Sequence, residues 1–224
     1  LDTVLHKVSS DKSYPVVDLG AGTGKLTLPL LRHGYSVTAV EPNDNMRKIG
    51  VANTRGLDVV WSEGIAEDTR LPRNTFQTAF FASSFNVVDQ SAALIEASRI
   101  PVSRGFFCCM WSHRDLDDPI QMKIEHVIKR HIPGYDYGGR RVDPTEVISA
   151  SRLFGPVEKL RGTLVSRMAR DDVITAWKSH ATLARQADHK FVDIITKIAS
   201  LFCDASTIDV PYTTCAWVAE LKGL

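Results

Sequence analysis

The residues best placed to do chemistry form one short run, Val16-Val17-Asp18-Leu19-Gly20-Ala21-Gly22-Thr23-Gly24, an apolar stretch that ends in an acid followed by three glycines at alternate positions. Glycines at that spacing let backbone approach a ligand, and Asp18 can anchor polar groups. The apolar run reads as a buried strand whose chain continues as helix through Leu26 to Leu31. Such a loop suits a nucleotide-type cofactor. A second carboxylate, Glu41, closes the next apolar run, Val37-Thr38-Ala39-Val40-Glu41-Pro42. It falls at about the 20-residue interval at which an acid can accept both hydroxyls of a ribose.

Glycine spacing decides among cofactors. With Gly20 and Gly22 as the first pair, a dinucleotide fingerprint G-x-G-x-x-G requires a glycine where Lys25 stands, and the third glycine comes one place early at Gly24. A phosphate-cradling G-x-x-x-x-G-K-[ST] ending on Gly24-Lys25 would begin at Leu19 and put its hydroxyl at Leu26, so it fails at two positions. Farther on come Glu63-Gly64-Ile65-Ala66-Glu67-Asp68-Thr69-Arg70-Leu71-Pro72 and then Asn74 to Ala79, leading into a fourth apolar run.

Together these motifs resemble the class I S-adenosylmethionine-dependent methyltransferases, in the broad group acting on small molecules. The shared pattern is D-L-G-x-G-T-G, an acid ending strand two, A-E-x-x-x-L-P before strand four, and a proline or glycine turn before strand five. It covers residues 14 to about 111 by motif and the remainder by topology only. The resemblance implies S-adenosylmethionine as cofactor and S-adenosylhomocysteine as product. Asp18, Gly20, Ala21 and Gly22 would face the methionine moiety, with Thr23 and Gly24 completing the loop. Glu41, followed by Pro42, would hold the ribose diol, Ala66 and Glu67 would lie beside adenine with Met46 nearby, and Ser83, Ser84 and Phe85 would line the site after strand four. Two departures stand out. Many relatives carry a His-Trp pair after strand four where this chain has Asn86-Val87, and relatives commonly have a helical N-terminal lid ahead of strand one, whereas only about 15 residues precede the motif here.

A sulfonium already activates its methyl group, so the protein's task is to align a nucleophile in a site closed to water. If the nucleophile is a hydroxyl or ammonium, a base must also take a proton, and histidine suits neutral pH. His113 is the catalytic candidate, in Trp111-Ser112-His113-Arg114-Asp115 just past the fifth apolar run. Trp111, Tyr135, Tyr137, Arg140 and Arg141 are the substrate-binding candidates; the last four sit in a glycine-broken segment suited to an aromatic or carboxylated acceptor. His180, in Trp177-Lys178-Ser179-His180, reads as a packing residue. His126 and His131, five apart, do not share a helix face, no HExxH occurs, and no metal site is expected.

These groups need a scaffold. The 224 residues are 44% hydrophobic and 24% charged, enough for one domain with a proper core. Twenty-seven basic against 26 acidic residues give a net charge of +1, which favours a small-molecule acceptor and neither nucleic acid nor a membrane. Apolar runs near 15–19, 36–40, 57–61, 76–82 and 104–111 alternate with helical patterns near 24–33, 43–52 and 89–100, and Pro101 to Gly105 reads as a turn. Beyond Trp111 follow a helix near 118–131, a strand at 157–168, helices at 171–185 and 188–202, and a final strand at 208–221. The apolar stripe of the last helix, Phe191 to Phe202, reads as core.

The expected fold is α/β: a doubly wound, Rossmann-like, mostly parallel sheet with an antiparallel C-terminal strand and helices on both faces. It makes a single domain with a substrate-cap insertion around 112–155. Cys108, Cys109, Cys203 and Cys215 form no CxxC pair and read as buried thiols in a reducing compartment. With no long apolar segment and no charged-then-apolar leader, the expectation is a cytoplasmic protein. The expected reaction is methyl transfer to an oxygen or nitrogen of a small metabolite by in-line displacement, with carbon left open, as is whether a homodimer forms. Two alternatives to methyl transfer stay open: an NAD(P)-dependent dehydrogenase, and a methyltransferase-like binding domain without catalytic activity.

Overall fold

The computed structural model describes residues 1–8, 12–137 and 142–223. By internal contacts it divides into two compact units: residues 1–111, 142–161 and 215–224 form unit 1, and residues 112–141 and 162–214 form unit 2. Three long strands have residues in both units.

Unit 1 is built on β1 (Val16–Leu19), buried on both faces. Its apolar run without alternation is what a strand covered on two sides requires. Val17 and Leu19 enter one core cluster while Val16 enters the other. β1 pairs in parallel with β2 (Val37–Val40) and with β4 (Phe76–Ala82), β2 with β3 (Val59–Ser62), and β4 with β5 (Pro101–Arg114). The strand order is β3-β2-β1-β4-β5-β7-β6, where β6 is Glu158–Ala169 and β7 is Thr207–Glu220. β7 runs against β5: Leu221 N–H donates to Gly105 at one end (2.7 Å), and Asp115 N–H donates to Pro211 at the other (2.9 Å). The mostly parallel sheet with one antiparallel C-terminal strand is as the sequence implied.

Helices cover both faces. α1 (Asp2–Val8) and α2 (Thr27–Arg32) pack with Val16, Phe80 and Cys108. α4 (Gln90–Arg99) and α6 (Thr145–Ser151) pack with Val17, Phe81 and Cys109. Cys108 and Cys109 therefore point to opposite faces, as strand alternation demands. All four cysteines are free, but Cys203 is exposed, which corrects the expectation of four buried thiols. α3 (Asp44–Asn53) begins at an Asn43 cap whose side chain accepts from Met46 N–H. It carries Gly50, where a Cβ would stand 2.1 Å from the Trp61 ring; only glycine lets β3 lay its indole against this helix.

Three local departures have physical causes. α2 starts at Thr27 rather than near 24 because Gly22 and Gly24 hold φ of +61° and +83°, outside the right-handed helical region. Pro101 to Gly105 belongs to β5; the turn residues instead make an irregularity in register opposite Phe76 to Thr78, with Arg104 at φ +61°. The helices α1 and α6 were not anticipated, being only seven residues each.

Unit 2 contains the outer parts of β5, β6 and β7 with α5 (Pro119–His131), α7 (Arg170–Lys178), α8 (Ala181–Ala187) and α9 (Phe191–Ser200). Asp118 caps α5 and Pro119 sits in its first turn. The helix expected over 171–185 is broken at Ser179-His180, where His180 Nδ1 accepts from Leu183 N–H (3.2 Å) and starts α8. A short 3-10 turn, Asp188–Lys190, precedes α9. Ile194, Ile195, Ile198 and Phe202 are core, as the stripe indicated, while Leu201 is exposed. No described helix is long and apolar enough to cross a membrane.

Candidate functional site

Strand order makes the site. From β1 the chain first builds outward through β2 and β3, then returns to add β4 on the other side, so the direction of winding switches beside β1. Loops at the carboxyl ends of the strands part at such a switch point, which is where open α/β sheets bind ligands. Residues 20–24 leave β1 there.

The loop is shaped by close packing. A Cβ on Gly20 (φ +69°) would lie 2.6 Å from Ser84 Cβ, and one on Gly22 (φ +61°) would lie 3.1 Å from Met46 Cε. Ser84, buried after β4, donates its hydroxyl to Leu19 C=O (2.6 Å), and Ser83 before it is held at φ +59° by the turn. Phe85 was expected to line the site, but its ring is fully buried between Phe81 and Phe107 (5.3 and 5.2 Å), so it is a packing residue.

Backbone donors of the loop are largely spent within the protein. Gly20 and Ala21 N–H donate to Val40 C=O (2.9 and 3.0 Å), Gly24 N–H to Ala21 C=O (2.9 Å), and Gly22 N–H to the Glu41 carboxylate (2.8 Å). The other Glu41 oxygen accepts from Asn43 N–H (2.8 Å), just past Pro42. Two backbone bonds thus fix the orientation of this buried carboxylate, and each oxygen keeps a further lone pair for a diol. Arg47 braces the same corner, donating to Glu41 C=O (2.8 Å) and pairing with Glu63 (3.2 Å). Thr23 C=O accepts from Asn53 of α3 (3.0 Å), tying the loop's far side to that helix.

Asp18 lies beneath the loop, fully buried. One carboxyl oxygen accepts from Thr27 Oγ1 (2.7 Å) and the other has no partner among the described residues. Burial pushes its pKa up to about 6; the bonds from Thr27 oppose that rise and the neighbouring Glu41 adds to it. A buried carboxyl with an unused oxygen next to a second carboxylate fits a cationic or hydroxyl-bearing ligand and repels a pyrophosphate. Thr27, nine residues from Asp18, was missed by sequence reasoning, because no local pattern marks it.

Ala66 is buried and Ile65 exposed in a tight turn closed by Asp68 N–H to Ile65 C=O (3.2 Å). Pro42, Glu63, Gly64, Ile65, Asp68 and Arg70 line a groove of about 460 Å³ here. Glu67 accepts from Asp89 N–H (2.9 Å), the cap of α4, so its carboxylate already has a structural task. Every cofactor-binding candidate therefore lies in unit 1, Asp18 on β1, Met46 on α3 and the others on the loops after β1, β2, β3 and β4.

The acceptor-side candidates are divided. Trp111 is in the core of unit 1, its ring tilted against that of Trp217 at 4.4 Å, whose indole N–H donates to Asp143 (2.9 Å); it is a packing residue where a substrate contact was expected. His113, Tyr135 and Tyr137 lie in unit 2. Tyr135 is buried in that unit's core with Tyr137 edge-on at 5.2 Å, rather than displayed on an open loop. His113 is half-buried on β5 beside Arg114, whose guanidinium carbon lies 4.2 Å from the Trp177 ring centre. Burial lowers the Arg114 pKa, and the Tyr212 hydroxyl counters it. His180 stacks on the same ring, Trp177, at 5.3 Å. Arg140 and Arg141 fall outside the described residues. Among the described residues no three His, Cys, Asp or Glu side chains are grouped to hold a metal ion.

Comparison with known proteins points the same way. The family model described as a methyltransferase domain matches residues 17–109. An uncharacterized methyltransferase of Mycobacterium bovis is 35% identical over 100 residues, covering 45% of this chain and 40% of that protein. The ubiquinone/menaquinone biosynthesis C-methyltransferase UbiE of Zymomonas mobilis is 30% identical over 113 residues, 49% of this chain and 47% of the relative. The matches thus span less than half the length of these curated relatives. A crystal structure of a putative methyltransferase from an antibiotic biosynthesis pathway of Anabaena variabilis superposes with a TM-score of 0.66 over 96% of this chain and 94% of that one, at 17% identity, a likeness of fold.

Proposed function

We propose, because a methyltransferase-domain family model matches residues 17–109, that this chain binds S-adenosylmethionine and transfers its methyl group to an oxygen or nitrogen of a small metabolite. The observation that carries the reading is the state of the glycine loop. The N–H groups of Gly20, Ala21, Gly22 and Gly24 are used internally, and two carboxylates, Asp18 and Glu41, stand against it. A dinucleotide needs N–H groups facing its pyrophosphate, whereas a ligand with an ammonium at one end and a ribose diol in the middle matches two acids.

Asp18 and the loop would hold the amino-acid end, Glu41 the ribose, and the Ile65-Ala66 turn with Met46 the base. The bound sulfonium supplies an already activated methyl group. The chain's own contribution is then to orient the cofactor and exclude water, and to accept the acceptor's proton at a base, for which His113 is our candidate. The segment around 112–155 is proposed to carry acceptor specificity, with Tyr137, Arg140 and Arg141 on it.

Calorimetric titration separates this reading from its rivals. S-adenosylhomocysteine should bind and NAD should not; tight NAD binding with no response to S-adenosylhomocysteine would sink it. Methyl-labelled S-adenosylmethionine incubated with a metabolite pool should then label a small product, and binding with no labelled product would favour a non-catalytic binding domain.

A further inference from the structure

One buried charge cluster in unit 1 lies outside the loop and both of its acids. Glu96, on the inner face of α4, is 6% exposed, and its carboxylate gathers four donors. Thr69 N–H (2.9 Å) and the Thr69 hydroxyl both donate to Oε1. Arg99, one turn on, clamps both oxygens at 2.7 and 2.6 Å. Burial would raise the pKa of this carboxyl, yet the bonds from Arg99 and Thr69 outweigh it and the net shift is downward. It is therefore an ionised, fully engaged group whose ligands come from two elements.

What the cluster holds is the segment before β4. Thr69, itself 1% exposed, accepts at its hydroxyl from Leu71 N–H (3.1 Å), and so spans Arg70, which sits at φ +58°. A non-glycine residue keeps that backbone only where its neighbours force it. Three residues upstream is Ala66, and Glu67 is separately tied to Asp89 N–H at the start of α4. The turn Ile65 to Asp68 and the groove it lines are thus suspended from α4 at two points.

We propose that Glu96, acting through Thr69, is a positioning residue that sets the geometry of the Ile65-Ala66 turn and with it the selection of the cofactor's base. The inference rests on the cofactor reading above. A loop turn held only by its own hydrogen bonds would shift freely by the fraction of an ångström over which donor and acceptor edges of a purine are told apart. A buried carboxylate clamped by an arginine is the element that prevents it.

The test compares affinity for S-adenosylhomocysteine with that for S-inosylhomocysteine, which differs only at the purine edge, by calorimetry on the whole chain, with thermal melting alongside. Wild type should prefer the adenine compound. Glu96→Ala and Thr69→Val should lower that ratio by about fivefold or more, the range of a coupling between neighbouring groups, while Thr69→Ser, which keeps the hydroxyl, should retain it. Asp18→Asn should weaken both ligands equally. A purely structural role would lower the melting temperature and both affinities together; folded Thr69→Val or Glu96→Ala with an unchanged ratio overturns the inference, as does a wild type with no preference. If Glu96→Ala does not fold, Thr69→Val decides alone. Wild type that binds neither probe overturns the cofactor reading itself, and this inference with it.

Discussion

Titrating Asp18 tests the site through its least ordinary group. The carboxyl is fully buried, uses one oxygen on Thr27, and has its pKa raised from 3.8 to about 6 by burial, with Glu41 contributing. A raised folded-state pKa means that the folded protein holds this proton more tightly than the unfolded chain. The associated stability is therefore complete below pH 3.8 and is lost as pH rises through about 6. That interval corresponds to about 3 kcal/mol. Urea unfolding of cofactor-free protein should show this loss between roughly pH 4 and pH 7, and Asp18→Asn, which cannot ionise, should flatten the dependence. Binding reverses the preference. A ligand ammonium beside Asp18 favours the ionised form, so affinity for S-adenosylhomocysteine should climb with pH and level off above about 6. At about pH 5 only about one tenth of the sites are ionised, and the dissociation constant should be about tenfold weaker than the plateau. Calorimetry in two buffers of different ionisation heat counts the proton released on binding near that pH. An affinity flat across the window, with no proton released and no change in Asp18→Asn, would refute the reasoning.

Three further substitutions probe the remaining roles. Glu41→Ala removes the carboxylate that would hold the ribose and frees the Gly22 and Asn43 amides, so cofactor affinity should fall by about tenfold to a hundredfold; unchanged affinity in a titration contradicts the ribose assignment. Gly20→Ala puts a methyl 2.6 Å from Ser84 Cβ at a backbone of φ +69°, and should cost about 1–3 kcal/mol in denaturant unfolding and weaken binding as well; wild-type values for both would mean that the loop has room to spare. His113→Ala should lower turnover and leave cofactor affinity nearly unchanged, and normal turnover rejects it as the base.

The residues proposed for the cofactor half stand out in the sequence because they answer to backbone constraints that few residues satisfy. Gly20 has no room for a Cβ, Glu41 directly follows β2 and meets the amide of Gly22, and β1 is buried at all of its positions. Each requirement leaves a mark in residue type, a glycine where the backbone holds φ +69° and an acid directly after an apolar run. The residues that brace these groups leave no such mark. Thr27 reaches Asp18 across nine residues, and Glu96 reaches Thr69 across 27, and in each pair the partner meets only after helix and strand have packed. Nothing in a lone threonine or a helical glutamate announces that.

On the acceptor side, residue type is a weaker guide. Trp111 and Tyr135 were singled out as aromatic groups near the expected site, yet large apolar rings are what a core recruits, and both are buried in one. A tryptophan at the end of an apolar run has the same sequence signature whether it packs on a ligand or, as here, on Trp217. The difference between the two halves follows from how specific each physical demand is. A glycine forced by a 2.6 Å approach excludes nineteen alternatives, whereas an aromatic residue is admitted by almost any buried environment of the right volume. For the same reason, acceptor identity will be read from the shape of a bound complex sooner than from residue types along residues 112–155, while the Asp18, Glu41 and Gly20 substitutions can be interpreted from the loop geometry alone.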